Sequence, residues 1–219
     1  MLRAVTVVGL VATAAVTLLA CAKPTFHSTW KSPAAGPFGL EGKRVAALVL
    51  SEEEPLRYAA EDALAREITA RGAAGVPAYT LLPKGFVRNA EKARELLEKA
   101  DVEGVVALRP RAWDKPLAAN FGTYWGSSRY ASFWGPGFWG WGRGWGGADD
   151  GYLHVDAILV VETLVYSLPQ DKLLWASQSE TMNPSEVGPF IHKLCRKVGA
   201  ELEKQGLLAD PARIAAVGF

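Results

Sequence analysis

The chain has 219 residues and carries 24 lysines and arginines against 23 aspartates and glutamates, so its formal net charge is +1. This balance provides no basic field for nucleic-acid binding and no charged block that would form an acidic or basic tail. The length suits one domain with excursions.

The first residues have the layout of a secretory leader. Arg3 precedes seventeen uncharged, mostly apolar residues, 4–20, and the small residue Ala20 stands directly before Cys21. A membrane-spanning helix needs about 20 apolar residues, and this run is shorter and rich in Ala, Thr and Val. The pattern predicts a removable signal peptide over residues 1–20. An uncleaved anchor, or an ordinary signal peptide beside an incidental cysteine, is the alternative.

The end of this leader, Leu18-Leu19-Ala20-Cys21, resembles the lipobox of bacterial lipoproteins. The resemblance implies that Cys21 carries a thioether-linked lipid, that the leader is removed and that the new amino group is acylated. In Gram-negative members of that class an aspartate after the cysteine tends to retain the protein in the inner membrane, and this chain has Ala22 there. The resemblance therefore implies an envelope lipoprotein in the inner leaflet of the outer membrane, facing the periplasm and held by its fatty chains.

A tether and a first strand–helix–strand unit are predicted next. Residues 21–42, rich in Pro, Gly and Ser, predict the lipidated cysteine followed by a flexible tether. Residues 43–50 form a continuous apolar run, which is typical of a strand buried on both faces. A helix is expected to open at Ser51-Glu52-Glu53-Glu54-Pro55, because proline and acidic residues favour a first helical turn. Residues 76–82 predict a second strand, closed by Pro83.

A second helix and a third strand continue the same alternation. Asn89 is expected to cap a helix over residues 90–100. Residues 102–108 predict a strand that ends at Pro110. Short strands that alternate with helices favour a parallel β-α-β-α-β arrangement.

The carboxyl-terminal part predicts a hairpin followed by a helix. Residues 152–168 alternate between mostly apolar odd positions and mixed even positions, so one face is expected to be buried and the other partly wet. A turn leads to an antiparallel partner over residues 173–182, and the last helix runs from Pro184 to about residue 205. Cys195 lies on the apolar face of that helix and is expected to be a buried small hydrophobe, with a reactive thiol as the alternative.

The predicted fold class is therefore α/β with a mixed sheet. Parallel strands are expected at the centre, a long antiparallel hairpin at one edge and three helices over the faces. The domain is expected to span residues 43–208, with a Gly/Trp-rich insertion at 115–150 and a tail at 209–219.

This order of elements resembles the small α/β periplasmic domains of bacterial outer-membrane lipoproteins, such as the amino-terminal domain of TolB and the lipoprotein activators of penicillin-binding proteins. The segments Glu162-Thr163-Leu164-Val165-Tyr166 and Lys172-Leu173-Leu174-Trp175-Ala176 are also similar to lipoprotein families of unknown function. Domains of this shape serve mostly as adaptors, which is an analogy at the level of the fold.

The insertion is dominated by glycine and aromatic residues between positions 120 and 147. It is interpreted as a low-complexity excursion partly collapsed on its own domain, as a contact with a protein partner or the membrane interface, or as a saccharide or peptidoglycan binder. The candidate contact residues are Tyr124, Trp125, Trp134, Trp139, Trp141 and Trp145.

Catalytic patterns are sparse. His154 and Asp156 are two apart on one predicted strand face, with Glu162 farther along it. A metal site needs three or four convergent ligands, and no Gly-x-Ser-x-Gly turn is present. The sequence therefore predicts no metal, no cofactor and no enzymatic activity.

The expected function is that of a membrane-anchored, non-enzymatic binding or structural module whose partners are the membrane, through Cys21, and an envelope protein or peptidoglycan. Saccharide binding through the aromatic insertion is the alternative. A hydrolase built on His154 and Asp156 is a further one.

Overall fold

The computed structural model describes residues 24–33, 39–51, 53–83, 89–113, 128–135, 138, 158–182 and 187–217. The strands are β1 Thr25–Lys31, β2 Arg44–Val49, β3 Ala74–Pro77, β4 Gly104–Trp113, β5 Ile158–Ser167 and β6 Lys172–Met182. The helices are α1 Glu54–Thr69, α2 Ala90–Lys99, α3 Ser128–Ala131, α4 Val187–Lys204 and α5 Pro211–Val217. Within these ranges no helix is both long and apolar enough to cross a bilayer.

The strands form one mixed sheet in the order β1-β6-β5-β4-β2-β3. β4, β2 and β3 are parallel, whereas β1, β6, β5 and β4 pair antiparallel to one another. The mixed α/β fold predicted from the sequence is confirmed, but two placements were wrong. The parallel strands lie at one end of the sheet, not at its centre, and the β5–β6 hairpin lies inside the sheet because β1 pairs with its outer strand.

Strand β1 corrects the predicted tether. Thr25–Lys31 pairs along β6, from Thr25 opposite Glu180 to Lys31 opposite Trp175. Phe26 and Trp30 are four residues apart and would face the same side of a regular strand. A shift in register after Phe26 turns them to opposite faces of the sheet. Both aromatic rings pack against the core. The chain therefore joins the folded domain well before residue 43.

Each face of the sheet is covered by a different set of elements. We call them the α1/α4 face and the α2 face, after the helices that pack on them. The apolar residues of the α1/α4 face include Val45, Val49, Val106, Val161, Trp175, Leu64, Ile68, Leu194, Val198 and Leu202. Those of the α2 face include Ala46, Leu48, Val105, Ala107, Leu164, Tyr166, Ala93 and Leu97. Strands with two covered faces explain the continuous apolar run over residues 43–50.

The hairpin strand β5 is also covered on both sides. Every residue from 160 to 168 is buried, so the wet face predicted for this strand is wrong over its described part. The reason is that alternate side chains pack into the cores of the two faces, such as Val161 in one and Leu164 in the other. Residues 152–157, with His154 and Asp156, lie outside the described residues.

Strand β4 runs through Pro110 to Trp113, whereas the sequence predicted that Pro110 would end it. The Leu108 carbonyl accepts a hydrogen bond from the Leu50 amide at 2.9 Å, on the side of β2. Pro110 is two residues after Leu108, so its backbone groups point to the same side of β4, and β2 ends at Val49. The missing N–H of Pro110 therefore faces the side on which β4 has already lost its parallel neighbour, where proline is tolerated.

Strand β3 is shorter than predicted and sits close to α1. It ends at Pro77 and continues as a 3-10 turn, Ala78–Thr80, where the sequence predicted a strand to residue 82. A side chain at Gly75 would overlap the Ala65 carbonyl oxygen of α1, so glycine permits this close approach.

The buried carboxyl of Glu61 accepts backbone hydrogen bonds where β3 would have continued. Its Oε1 accepts a hydrogen bond from the Val49 amide at 3.1 Å, and its Oε2 accepts one from the Tyr79 amide at 2.6 Å. It thus satisfies one strand amide and one amide at the start of the 3-10 turn. Burial raises the pKa of Glu61 to about 7, against the opposing effect of the two backbone hydrogen bonds.

The predicted ends of the helices are largely confirmed. Asn89 caps α2 through a hydrogen bond from the Lys92 amide to its side chain at 2.9 Å.

Cys195 is fully buried in α4, its thiol lies 3.7 Å from the Ala60 carbonyl oxygen, and burial raises its pKa to about 12. It is therefore the small hydrophobe that the sequence favoured. The tail adds helix α5, and Leu207 and Leu208 before it are buried.

The Glu61 carboxyl makes stability depend on pH. Because its pKa rises from 4.5 in the unfolded chain to about 7 in the fold, the folded state binds the proton more tightly. This stabilisation is complete below pH 4.5, is lost as the pH rises towards 7 and is absent above it. We expect the free energy of unfolding to fall by about 3 kcal/mol as the pH rises across that range, since one pKa unit corresponds to about 1.4 kcal/mol.

Glu61→Gln should lack this fall, because its side chain does not titrate. Below pH 4.5, where Glu61 of the parent is protonated, the variant should be less stable than the parent by about 1–3 kcal/mol, because its NH2 group faces a backbone donor. Urea unfolding of the leaderless chain, repeated across this pH range, measures both effects. Glu98→Gln is the matched control, since Glu98 is exposed, and it should keep the slope of the parent. A parental slope in Glu61→Gln would contradict the assignment.

Candidate functional site: docked aromatic residues over a buried ion pair

Part of the aromatic insertion is built into the core of the α2 face. Tyr130, Phe133 and Phe138, here called the docked aromatics, are at most 4 % exposed. The Phe133 ring centroid lies 4.6 Å from that of Phe138 and 5.2 Å from that of Tyr166 on β5, the latter edge to face. Such pairs stabilise packing beyond the apolar area that they bury. The described part of the insertion is therefore packed on its own domain.

The turn of the β5–β6 hairpin holds this segment through Asp171. The Ser132 hydroxyl donates to the Asp171 carboxylate, at 2.8 Å from Oδ1 and 2.7 Å from Oδ2, and the Phe133 amide donates to Oδ1 at 3.1 Å. The Trp134 amide in turn donates to the Ser132 hydroxyl at 3.1 Å. Hydrogen bonds to a charged acceptor are stronger than neutral ones. Asp171, whose φ is 46°, thus holds Ser132 and Phe133 against the hairpin turn.

Trp134 is the one predicted contact residue that lies in the described ranges. Its ring packs edge to face on Phe133 at 4.7 Å between centroids. The Arg94 guanidinium of α2 lies 5.5 Å from the centroid of the Trp134 ring, in cation–π geometry. Trp134 is therefore half-buried at the rim of the docked aromatics, with one face of its indole covered by Arg94.

An ion pair lies beneath the docked aromatics, on the two central antiparallel strands. Arg109 of β4 and Glu162 of β5 stand opposite each other in register, and Arg109 Nε lies 3.1 Å from Glu162 Oε2. Their side chains are only 5 % and 2 % exposed. Arg109 Nη1 also donates to the Tyr130 hydroxyl at 3.3 Å, which connects the pair to the docked aromatics.

The ion pair marks a change along the α2 face from apolar to polar. Val105 and Ala107 precede Arg109 on the same side of β4 and belong to the apolar core. Across the sheet, Arg109, Glu162 and Gln178 form one row in register, on β4, β5 and β6. Gln178 is 1 % exposed, and its Nε2 has no hydrogen-bond partner among the described residues. The polar row thus begins next to the docked aromatics, where the apolar core of the α2 face ends.

Burial also perturbs the phenol of Tyr166, which lies under the docked aromatics. The residue is fully buried, its hydroxyl has no partner in the described part of the chain, and burial raises its pKa well above the ordinary value. Tyr166 is therefore a neutral packing residue.

Most predicted site residues lie outside the described residues. These are Cys21, Tyr124, Trp125, Trp139, Trp141, Trp145, His154 and Asp156. Glu162, proposed to share a wet face with His154 and Asp156, is instead buried against Arg109. Across the described ranges, no three His, Cys, Asp or Glu residues are grouped so that they could hold a metal ion.

Two residues of this region were missed by sequence reasoning. Asp171 was expected only to form a turn, and no local pattern indicates that its carboxylate accepts hydrogen bonds from residues 38 and 39 positions earlier in the chain. Arg109 stood at the end of a predicted strand next to Pro110. The available signal was Glu162, the single charge within the apolar strand β5, which predicts a buried basic partner.

No family model matches this chain, and comparison with curated proteins found no match. Among solved structures, the chain is similar to the PelC dodecamer from Paraburkholderia phytofirmans, with 16 % identity, a TM-score of 0.46, and coverage of 85 % of this chain and 99 % of that chain. A single-residue variant of the same dodecamer matches with 15 % identity, the same coverage and the same TM-score. A likeness at this level carries no argument about function.

The docking by Asp171 predicts a local effect on the insertion. Asp171→Gly keeps a residue suited to positive φ but removes the carboxylate, and we expect the Phe133 and Trp134 amides to open more easily by about 2 kcal/mol, or roughly thirtyfold in exchange rate. Hydrogen–deuterium exchange measures this change. Asp101→Gly is the matched control, because Asp101 also has positive φ, at 52°, and is exposed at the end of α2. Equal exchange rates in the two variants would disprove the role of the carboxylate.

The ion pair predicts non-additive effects on stability. Glu162→Ala should lower the free energy of unfolding by about 3–5 kcal/mol, because it leaves a buried guanidinium without its partner. Arg109→Met/Glu162→Leu should recover most of this loss, since apolar replacement of a buried pair is often neutral.

Urea unfolding of the single and double variants tests this prediction. Glu98→Ala breaks the exposed pair Arg94–Glu98, which is shorter at 2.7 Å, and should cost less than about 1 kcal/mol. If the losses of the single variants Arg109→Met and Glu162→Leu add up to the loss of the double variant, the two charges do not interact.

Proposed function

We propose that this protein is a membrane-anchored lipoprotein of the bacterial envelope and that its α/β domain is a non-enzymatic binding or structural module. The proposal starts from the leader and from Leu18-Leu19-Ala20-Cys21. The observation that carries it is the short distance along the chain between Cys21 and the fold. Strand β1 begins at Thr25, four residues after the cysteine.

This spacing supports an anchoring role for the start of the chain. β1 is hydrogen-bonded along β6, and its aromatic residues pack on both faces of the sheet. A lipid on Cys21 would therefore be attached to an integral strand of the domain. The domain would be held close to the leaflet that contains the lipid.

The site geometry supports a binding or structural role over catalysis. The buried charges Arg109 and Glu162 face each other, and the described aromatics stabilise the α2 face. For Trp134, stacking on a sugar ring is disfavoured on the face that Arg94 covers. The saccharide-binding alternative therefore depends on Trp125, Trp139, Trp141 and Trp145, and the hydrolase alternative on His154 and Asp156.

The anchor is tested by Cys21→Ala in cells. We expect the parent to fractionate with the outer membrane and to show the mass of a leaderless, lipidated chain, whereas Cys21→Ala should leave that fraction and carry no lipid mass. Cys195→Ala is the matched control, because it removes the other cysteine and leaves Cys21 intact. Globomycin, which blocks the lipoprotein signal peptidase, should make the precursor accumulate. An unmodified Cys21 in a membrane-free parent would refute the proposal.

A further inference from the structure

The second half of strand β6 is polar, although both faces of the strand are covered. Residues 177–181 read Ser-Gln-Ser-Glu-Thr, and all of them except Glu180 are at most 3 % exposed. A strand covered on both faces is normally apolar, as β2 is. Burial of apolar surface therefore does not explain this half of β6, and its buried hydroxyl groups need hydrogen-bond partners inside the fold.

Two buried hydroxyl groups face each other across the β5–β6 hairpin. Thr163 of β5 and Ser177 of β6 are directly opposite in register, and both are fully buried. Thr163 alternates with Val161 and Val165 of the α1/α4 face, and Ser177 follows Trp175 of the same face by two positions, so both side chains point into that core.

Neither hydroxyl is paired with a protein group. Within the described ranges, Thr163 Oγ1 and Ser177 Oγ have no hydrogen-bond partner, and they are not bonded to each other. The Cβ atoms of directly opposite residues in an antiparallel pair are about 4.5–5.5 Å apart. One small molecule between the two strands can therefore reach both hydroxyl groups.

The indole N–H of Trp175 lies in the adjacent row. Trp175 is fully buried on the same face of β6, and its Nε1 likewise has no partner in the part of the chain that the structure describes. An indole N–H only donates, whereas a hydroxyl group both donates and accepts. The three groups, here called the hydroxyl–indole cluster, therefore match a small neutral molecule that accepts one hydrogen bond and exchanges the others.

Side-chain sizes leave room for such a molecule at Ser177. The large ring of Trp175 precedes it on the same face of β6, and Phe26 of β1 stands opposite Ser179, the next small residue on that face. Both rings pack in the core between the sheet and the helices α1 and α4. A helix that packs on two large rings stands off from the small side chains between them.

We propose that the hydroxyl–indole cluster, formed by Thr163, Ser177 and Trp175, binds an ordered water molecule inside the α1/α4 face. The water accepts a hydrogen bond from the indole and bonds to both hydroxyl groups, which gives it the roughly three partners that buried waters have. Each group that stayed unpaired in the core would lower the folding equilibrium constant by roughly tenfold. The water thus joins β5 and β6 beneath α4 as a part of the fold.

A crystal structure at atomic resolution tests the cluster directly, using the mature chain, residues 21–219, with Cys21→Ala so that no lipid is attached. We expect the oxygen of one water molecule within about 3.2 Å of both Thr163 Oγ1 and Ser177 Oγ. A direct hydrogen bond between the two hydroxyl groups, or a dry contact between them and α4, would overturn the proposal. The lipid on Cys21 is read separately from the intact mass of the parent, so either result leaves the proposed function in place.

Urea unfolding of hydroxyl-deletion variants tests the same water by its energetics. Thr163→Val and Ser177→Ala should each raise the unfolding equilibrium constant by about tenfold, because each leaves the water and the other hydroxyl short of a partner. The double variant should lose little more than either single variant, since the water and its unpaired partner are then both removed. Stabilisation by both single variants would show that the hydroxyl groups are dry and would contradict the proposal.

Ser179→Ala is the matched control for these variants. It also removes a buried hydroxyl from the same face of β6, but that hydroxyl already donates to the Val161 carbonyl at 3.3 Å. Its loss should therefore add to that of Thr163→Val, within about twofold in the unfolding constant. Additive losses for Thr163→Val and Ser177→Ala as well would show that these two groups share no water.

Discussion

The pairing of β1 with β6 is the constraint on which the rest of the structure depends. It encloses the β5–β6 hairpin within the sheet, places one aromatic ring on each face and brings Pro24 onto α4. An edge strand with unpaired backbone groups is an unfavourable end for a sheet, and here the start of the chain covers what would otherwise be the exposed edge of β6. The same strand sets the distance between the fold and Cys21. The edge of the sheet is thus completed by a short segment that begins four residues after Cys21.

The two faces of the sheet differ in the residues that cover them. The α1/α4 face is a largely apolar helix–sheet interface. The α2 face includes the docked aromatics, a hairpin turn that holds them through Asp171, and the Arg109–Glu162 pair beneath them. The two side chains of the pair lie 3.1 Å apart where water is excluded, which is the arrangement that buried charged groups need.

Local rules predicted those elements whose formation depends on neighbouring residues. The apolar run at 43–50, the Asn89 cap and the buried stripe around Cys195 all follow from short-range periodicity or capping, and all are confirmed. The failures involve partners distant in sequence. Pro110 is tolerated because β2 ends beside it. The early end of β3 is accommodated because Glu61 of α1 accepts hydrogen bonds from the Val49 amide of β2 and the Tyr79 amide of the 3-10 turn. Neither condition is visible from the residues around Pro110 or Val76.

By itself, the sequence determined the mixed α/β class, the order of most elements and the burial of Cys195, because periodicity and capping are encoded within a few residues of each position. Only the tertiary structure decided that residues 25–31 form a strand, that Glu162 is paired with Arg109, and that Asp171 holds Ser132 and Phe133. Those outcomes depend on which strands become neighbours and on what each face excludes from water. They are properties of the packed sheet, where residues far apart in the chain meet in one low-dielectric interior.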